Sequence, residues 1–285
     1  MRNIQHLLAD HRFHLVRGSV CDQSLMTVLV ERTDAIFHLA AAVGVQLIVR
    51  QPVHTISTNI HGTEVILELA NAFRRKIIIA STSEVYGKSD RIPFQEDADV
   101  VLGSTRFSRW SYACSKMIDE FLALAYYQEY GLPAIICRFF NTIGVRQTGE
   151  YGMVVPRFVR QALRNEPLEI YGTGNQSRCF CNVADVVRAL TQLLDCQPAL
   201  GEVVNLGSDE SITIRNLADK IVSMTGSSSE LRYLSYDKAY GQPFDDMLSR
   251  MPDLTKARRL IGYQPKYSLA ETLQQVVDFE RSCLG

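Results

Sequence analysis

The chain has 285 residues, 46% hydrophobic and 21% charged, with nine dispersed prolines; that fills one large folded domain or two moderate ones and excludes a disordered chain or a disulfide-stapled miniprotein. Lys and Arg number 30 against 31 Asp and Glu, a net charge of −1, so no general field gathers a polyanion and nucleic acid is excluded as a wholesale partner. The longest mostly apolar run, 35–49, is broken by His38 and Gln46 and falls short of the ~18 residues of a membrane span; the opening MRNIQHLLADHRFHL lacks a leader's apolar stretch, and seven scattered cysteines read as reduced thiols, so the expected location is cytoplasmic with no membrane partner.

Short apolar runs alternate with longer helical patterns through the first half, which predicts βαβ units on a parallel sheet. Strands are expected at 13–16 (FHLV), 35–40 (AIFHLA), 76–81 (KIIIAS) and 134–140 (AIICRFF). Between them, 56–73 carries Ile60, Val65, Ile66, Leu69, Ala70 and Phe73 at a helical period, and 112–130 does so through Ile118, Phe121, Leu122 and Ala125. Gly131-Leu132-Pro133 stops the second helix. Beyond Gly144 the reading is a helix from Val155-Pro156 to Leu163, a strand and turn at LEIYGTG, a helix over 183–194 and a strand at EVVNLG. A helix over 209–226, a long polar and aromatic loop over 227–252, and helices behind Asp253 and Ser268 complete it.

A parallel sheet that binds a dinucleotide normally opens with a strand, a Gly-rich turn such as G-x-x-G-x-x-G, a helix and a second strand ending in an acidic residue. None of these occurs here, and the first strand candidate already resembles the third strand of such a fold. The expectation is that one βαβ opening, roughly 30 to 45 residues, is missing from the chain.

The strongest local constellation is Ser81-Thr82-Ser83 at a strand end together with Tyr112-Ala113-Cys114-Ser115-Lys116 at a helix start. Tyr112 and Lys116 are i and i+4 and share one helix face. An ammonium beside a phenol favours the phenolate, so the expectation is a tyrosine of lowered pKa serving as proton acceptor, with the Thr82 hydroxyl on the same substrate oxygen. Alone, Y-x-x-x-K occurs in many helices by chance.

The ordered series HLAAAVGV, TNIHGTEVILE, ASTSEVYG, SYACSK, CRFFNTIG, VVPRFVRQAL, LEIYGTGNQSR and PDLTKARRLIGYQP resembles the extended short-chain dehydrogenase/reductase family, in particular its nucleotide-sugar epimerases and dehydratases, over nearly the whole chain. The resemblance implies an α/β fold: a Rossmann-like parallel sheet over 1–145, N-terminally incomplete, and a smaller α/β substrate domain over 146–285. It also implies NAD as cofactor and a nucleoside-diphosphate sugar, UDP-linked in the nearest pattern, as substrate. Thr82, Tyr112 and Lys116 match the catalytic Ser/Thr, Tyr and Lys: the Tyr takes the proton of the 4-hydroxyl as hydride leaves C4, and the Lys also touches the nicotinamide ribose. Asp22 matches the acidic residue that meets the adenine, Leu39, Ala40 and Ala41 line the cofactor, and Asn59 matches an asparagine of the active-site wall. Ser83, Asn141, Val155, Phe158, Tyr171, Arg178, Asp246 and Arg250 fall on the substrate side, where arginines offset pyrophosphate charge.

Related 4,6-dehydratases carry an Asp-Glu pair after the catalytic Thr; here the pair is Ser83-Glu84, half of that machinery, so dehydration is disfavoured. STSEVYG also resembles UDP-glucuronate decarboxylases, in which a glutamate assists after C4 oxidation. YACSK and AAAVGV look epimerase-like, and the expected activity is 4-epimerisation through a 4-keto intermediate, with decarboxylation as the alternative. A third reading is a shortened, weakly NAD-binding homologue without enzymatic role, because a cofactor pyrophosphate without glycine-lined amides loses its main cradle.

Cys179 and Cys181 share a strand face, but two ligands do not make a zinc site, and no metal is expected. His38 reads as packed and hydrogen-bonded, His54 and His61 as surface residues, and Trp110 as either pocket wall or packing. Apolar residues on more than one face of the helices over 56–73 and 117–130 predict a homodimer, as relatives pair these helices across a two-fold axis.

Overall fold

The structure, a computed structural model, describes residues 2–149, 152–240 and 245–284. In chain order the first half forms α1 (Gln23–Glu31), β1 (Ala35–His38), α2 (Val45–Arg50), α3 (Pro52–Ala72), β2 (Lys76–Thr82), α4 (Arg109–Tyr130), β3 (Ala134–Phe139) and the short β4 (Thr142–Ile143). The second half forms α5 (Val154–Leu163), β5 (Leu168–Tyr171), β6 (Ser177–Cys179), β7 (Cys181–Asn182), α6 (Val183–Leu194), β8 (Val203–Leu206) and β9 (Ser211–Thr213). There follow α7 (Ile214–Thr225), β10 (Leu231–Leu234), α8 (Tyr236–Tyr240), α9 (Thr255–Ile261) and α10 (Leu269–Leu284). Among the described residues no helix is long and apolar enough to cross a membrane.

The main sheet runs β1-β2-β3-β8, all parallel. Residues 77–80 of β2 and 134–137 of β3 are apolar without interruption because both faces are covered. Ile77, Ile79, Ala134 and Ile136 bury against α1, α3 and α4, whereas Ile78, Ile135, Cys137, Val204 and Leu206 bury against α6 and α9, the two-residue alternation of a pleated strand. Ile77, Ile78 and Ile79 are fully buried, each worth about 2–3 kcal/mol of transfer free energy. The chain thus returns to the first sheet with β8 before completing a second core, built on α5, β5, α7 and α10.

Several elements differ from expectation. The FHLV run is not a strand, and Leu15 and Val16 are exposed. In the order 3-2-1-4-5-6 a third strand pairs only with the second, and none of the described residues supplies that neighbour. The helix α3 begins at Pro52, earlier than the apolar period indicated, because proline is well placed in a first turn. The predicted 209–226 helix starts later, since Ser211–Thr213 pairs antiparallel with β6 and Thr213 then caps α7 by accepting from Asn216 N. Within the predicted loop 227–252, β10 pairs in parallel with β5 and α8 follows; 241–244 lie outside the described residues. The two C-terminal helix starts hold: Asp253 accepts from Thr255 N, and Ser268 and Glu271 cap each other reciprocally at α10.

Candidate active site

The C-terminal ends of β2 and β3 open onto a cavity of about 240 Å³. At the end of β2, Thr82 Oγ1 accepts from Glu84 N at 3.2 Å as the chain tightens into a short 3-10 turn over 83–86. The hydroxyl proton of Thr82 is thereby left for Tyr112, whose pKa it draws down. Asn141, just past β3, takes a positive φ of 32°, a backbone state asparagine tolerates better than most side chains. Its Nδ2 donates to Cys179 O at 3.1 Å, tying the exit of β3 to β6. Opposite stand Val155 and Arg157 of α5, Tyr171 of β5, Arg178 of β6, and Asp246 and Arg250 of the segment after α8.

The floor is an ion-pair network. Arg109, one helical turn before Tyr112 on α4, bridges Asp246 at 2.8 Å and Glu84 at 3.1 Å. Arg250 meets Glu84 at 2.6 Å, and Asp246 also accepts from Arg178 at 3.0 Å and Tyr236 at 2.7 Å. Burial opposes charge on both carboxylates, but the arginines outweigh it: Glu84 is held below the usual range and Asp246 at about 2. Burial pulls Arg250 down to about 10, against the opposing pull of Glu84. Arg157 stacks over Tyr171 at 4.4 Å. The cavity is lined by four arginines and two carboxylates, leaving two positive charges in excess, and Arg250 Nε is buried without a partner among the described residues.

The structure brings Thr82, Glu84, Tyr112, Asn141, Val155, Tyr171, Arg178, Asp246 and Arg250 to this cavity. Two expected substrate residues are elsewhere: Phe158 is fully buried in the α5–α7 core, pointing away as its place on the apolar side of α5 requires, and Ser83 is buried beneath the turn. Lys116 is 2% exposed and lines no part of the cavity; its Nζ is paired with Asp119 at 2.6 Å. The expected lowering of the Tyr112 pKa is overturned. Burial raises it, Glu84 and Asp119 add to the rise, and the Thr82 hydroxyl and Arg250 only partly oppose them, so the phenol is protonated at neutral pH. Trp110 is packing rather than wall, its indole N–H donating to Asp245 at 3.3 Å and anchoring the segment that carries Asp246.

The expected cofactor residues lie beyond the end of β1. Leu39 is 53% exposed and Ala40 and Ala41 follow it, an open apolar ledge at the carboxyl ends of parallel strands, where dinucleotides cross such sheets. Asn59 fixes this ledge to the catalytic helix: its Oδ1 accepts from Ala42 N at 2.7 Å and its Nδ2 donates to Ser115 Oγ at 3.3 Å. Asp22 caps α1 by accepting from Leu25 N, so that helix N-terminus is already occupied by a carboxylate. The ledge and Tyr112 fit the nicotinamide half of NAD, the expected contact of Lys116 is not seen because its Nζ is turned to Asp119, and the described residues offer no Gly-rich turn for the pyrophosphate.

His38 is buried, its Nε2 3.1 Å from Thr63 Oγ1. Burial, aided by Lys116, holds its pKa down at about 4. The unfolded chain protonates near 6.5, so stability is complete above that value and falls as pH drops toward 4, by about 3 kcal/mol from this group. Chemical denaturation across that range is expected to show a shallower pH slope for His38→Asn than for the parent chain; equal slopes would remove His38 as the cause.

Arg109, Arg157 and Asp119 were not singled out by sequence reasoning. The available signal was spacing: Arg109 precedes Tyr112 by three, Asp119 follows Lys116 by three, and Arg157 sits inside the VVPRFVRQAL motif.

Comparisons with known proteins agree on the family. A family model described as GDP-mannose 4,6 dehydratase matches residues 1–276. The UDP-N-acetyl-alpha-D-glucosaminuronate decarboxylase of Bacillus cytotoxicus is 39% identical over 264 residues, 92% of this chain and 81% of that protein. UDP-glucuronic acid decarboxylase 1 of Danio rerio is 33% identical over 98% of this chain, which spans only 63% of that relative's length. The crystal structure of UDP-glucuronic acid 4-epimerase from Bacillus cereus, in complex with UDP-glucuronic acid and NAD, superposes with a TM-score of 0.89 at 28% identity, covering 99% of this chain and 86% of the other. The chain therefore belongs to the NAD-dependent nucleotide-sugar epimerase and dehydratase family of extended short-chain dehydrogenases/reductases, within the group described as GDP-mannose 4,6 dehydratase.

Proposed function

We propose that this protein is an NAD-dependent decarboxylase of a nucleoside-diphosphate hexuronate of the UDP-glucuronate class. The observation that carries the reading is Glu84, held ionised by Arg109 and Arg250 beside Tyr112 on the cavity wall. The excess of two positive charges matches a pyrophosphate dianion. Relatives at 39% and 33% identity are decarboxylases of uronate nucleotides, and this weighs decarboxylation above the 4-epimerisation that YACSK and AAAVGV favoured.

NAD, held against the ledge of Leu39, Ala40 and Ala41, would supply the acceptor for the C4 hydride and the donor for its return. Tyr112 accepts the O4 proton, and the C4 ketone then lies β to the C6 carboxylate. The C5–C6 bond breaks, its electron pair passing into the ketone as an enolate while carbon dioxide leaves; Tyr112 and Thr82, both now donors, hold the enolate oxygen. Solvent supplies the proton that takes the place of carbon dioxide at C5, and hydride return at C4, with Tyr112 giving its proton back to O4, completes a pentose. Glu84, being ionised, sets negative charge against the departing carboxylate, a repulsion that ends when neutral carbon dioxide forms.

A second reading, 4-epimerisation with the carboxylate retained, is favoured by the likeness to the Bacillus cereus epimerase. Incubation with NAD and UDP-glucuronate separates them: a UDP-pentose with released carbon dioxide is expected, and a UDP-hexuronate epimer as the sole product would overturn the decarboxylase reading.

The proposed assembly is a homodimer. Ile118 and Phe121 on α4 and Val53 and Ile56 on α3 are exposed, Phe121 by 68% and Val53 by 76%, on two helices packed side by side, and a two-fold axis would bury this face against itself. Sedimentation is expected to give a dimer for the parent chain and a monomer for Phe121→Glu; a monomeric parent would refute the assembly.

A further inference from the structure

Lys116 and Asp119 form a closed pair inside the protein, one turn apart on α4, with exposures of 2% and 0%. The contact gives the amine a partner where neither group reaches solvent. At the phenol one turn away the negative charge of Asp119 opposes a positive Lys116, and Asp119 adds to the rise that burial imposes on the Tyr112 pKa. Every other carboxylate near this pair is already spoken for. Glu120 is held bidentately by Arg138, at 2.7 and 3.0 Å, and accepts from Ser81; Glu84 is locked by Arg109 and Arg250. Burial raises the Asp119 pKa, and Lys116 and, from α3, Thr63 only partly draw it back. From β1, His38 faces Lys116 and is neutral above about pH 4. Around Tyr112 the remaining groups are Thr82 of β2, Glu84 and Arg250.

We propose that Asp119 is a positioning residue for the Tyr112–Lys116 pair, holding Lys116 Nζ off the cavity and thereby setting the pH at which Tyr112 releases its proton. The inference rests on the tyrosine-base chemistry of the family and not on which sugar reacts.

The test is a titration of the phenolate by its near-ultraviolet absorbance in the full chain, each variant read as a difference against the same background carrying Tyr112→Phe. It needs no substrate, so it stands even if the decarboxylase assay fails. Asp119→Asn is expected to lower the Tyr112 titration by about one pH unit or more, because the phenol loses a negative neighbour while the amine of Lys116 remains beside it. Asp119→Glu is expected to restore the parent titration. Where a nucleotide sugar is turned over, the acid limb of kcat should move with it. No shift, an upward shift, or equal shifts in the Asn and Glu variants would overturn the proposal. Should Asp119→Asn fail to fold, the double variant Lys116→Gln, Asp119→Asn removes both charges together; its titration is expected to stay at the parent value, and a large displacement would refute the opposition of the two charges.

Discussion

Tyr112→Phe is expected to reduce turnover by about 10²–10⁴-fold, the usual worth of a positioned general base, while the melting temperature stays close to that of the parent. The substitution removes one hydroxyl from a side chain that is already buried, and its nearest hydrogen-bond partner, Thr82, keeps its contact with Glu84 N. Steady-state rates with the nucleotide sugar and a thermal melt check both halves. Because burial and Glu84 hold the phenol protonated without cofactor, the parent rate should rise with pH until the tyrosine ionises in the loaded enzyme, and the variant should show no such limb. A variant that kept the parent rate would dismiss Tyr112 as the base.

Glu84→Gln is expected to act on chemistry and stability together. Removing the carboxylate takes the Glu84 ion pair from both Arg250 and Arg109, which keeps its pair with Asp246, and breaking a buried pair costs about 3–5 kcal/mol. The sign with pH follows from the lowered pKa of Glu84. Its stabilisation is fully present above the unfolded value near 4.3 and is lost as pH falls through the lower folded value, so the gap between parent and variant in urea unfolding should be widest at neutral pH and close in acid. Asp246, with its folded pKa at about 2, remains in both proteins and shapes the residual acid limb. Release of carbon dioxide from UDP-glucuronate should fall by about 10²-fold or more, with reduced cofactor still forming. Unchanged release would take Glu84 out of the reaction.

Much of the architecture was legible in order and type. Uninterrupted Ile77-Ile78-Ile79 could only be a strand covered on both faces, Gly131 stops α4 at a φ of 69°, and the Thr82, Tyr112 and Lys116 motif arrived with its spacing intact. Elements that needed a distant partner were not legible. FHLV reads as a strand by propensity, yet is exposed and finds no pairing strand among the described residues, while β10 reads as loop and becomes a strand because β5, far away in sequence, pairs with it. The site followed the same division. Motif order located Glu84, Arg178 and Arg250, but only folding placed Arg109 between Glu84 and Asp246.

By itself, then, the amino-acid order carried the family, through a resemblance borne by ordered motifs, and the parallel sheet and the candidate hydroxyl and amine, through local period and short spacing. The tertiary structure decided the charge state of that machinery: which carboxylate faces which guanidinium, why Tyr112 is pushed up rather than down, and why Lys116 answers to Asp119. Electrostatic energies vary with separation and burial, and neither quantity exists until segments far apart in the chain are packed together.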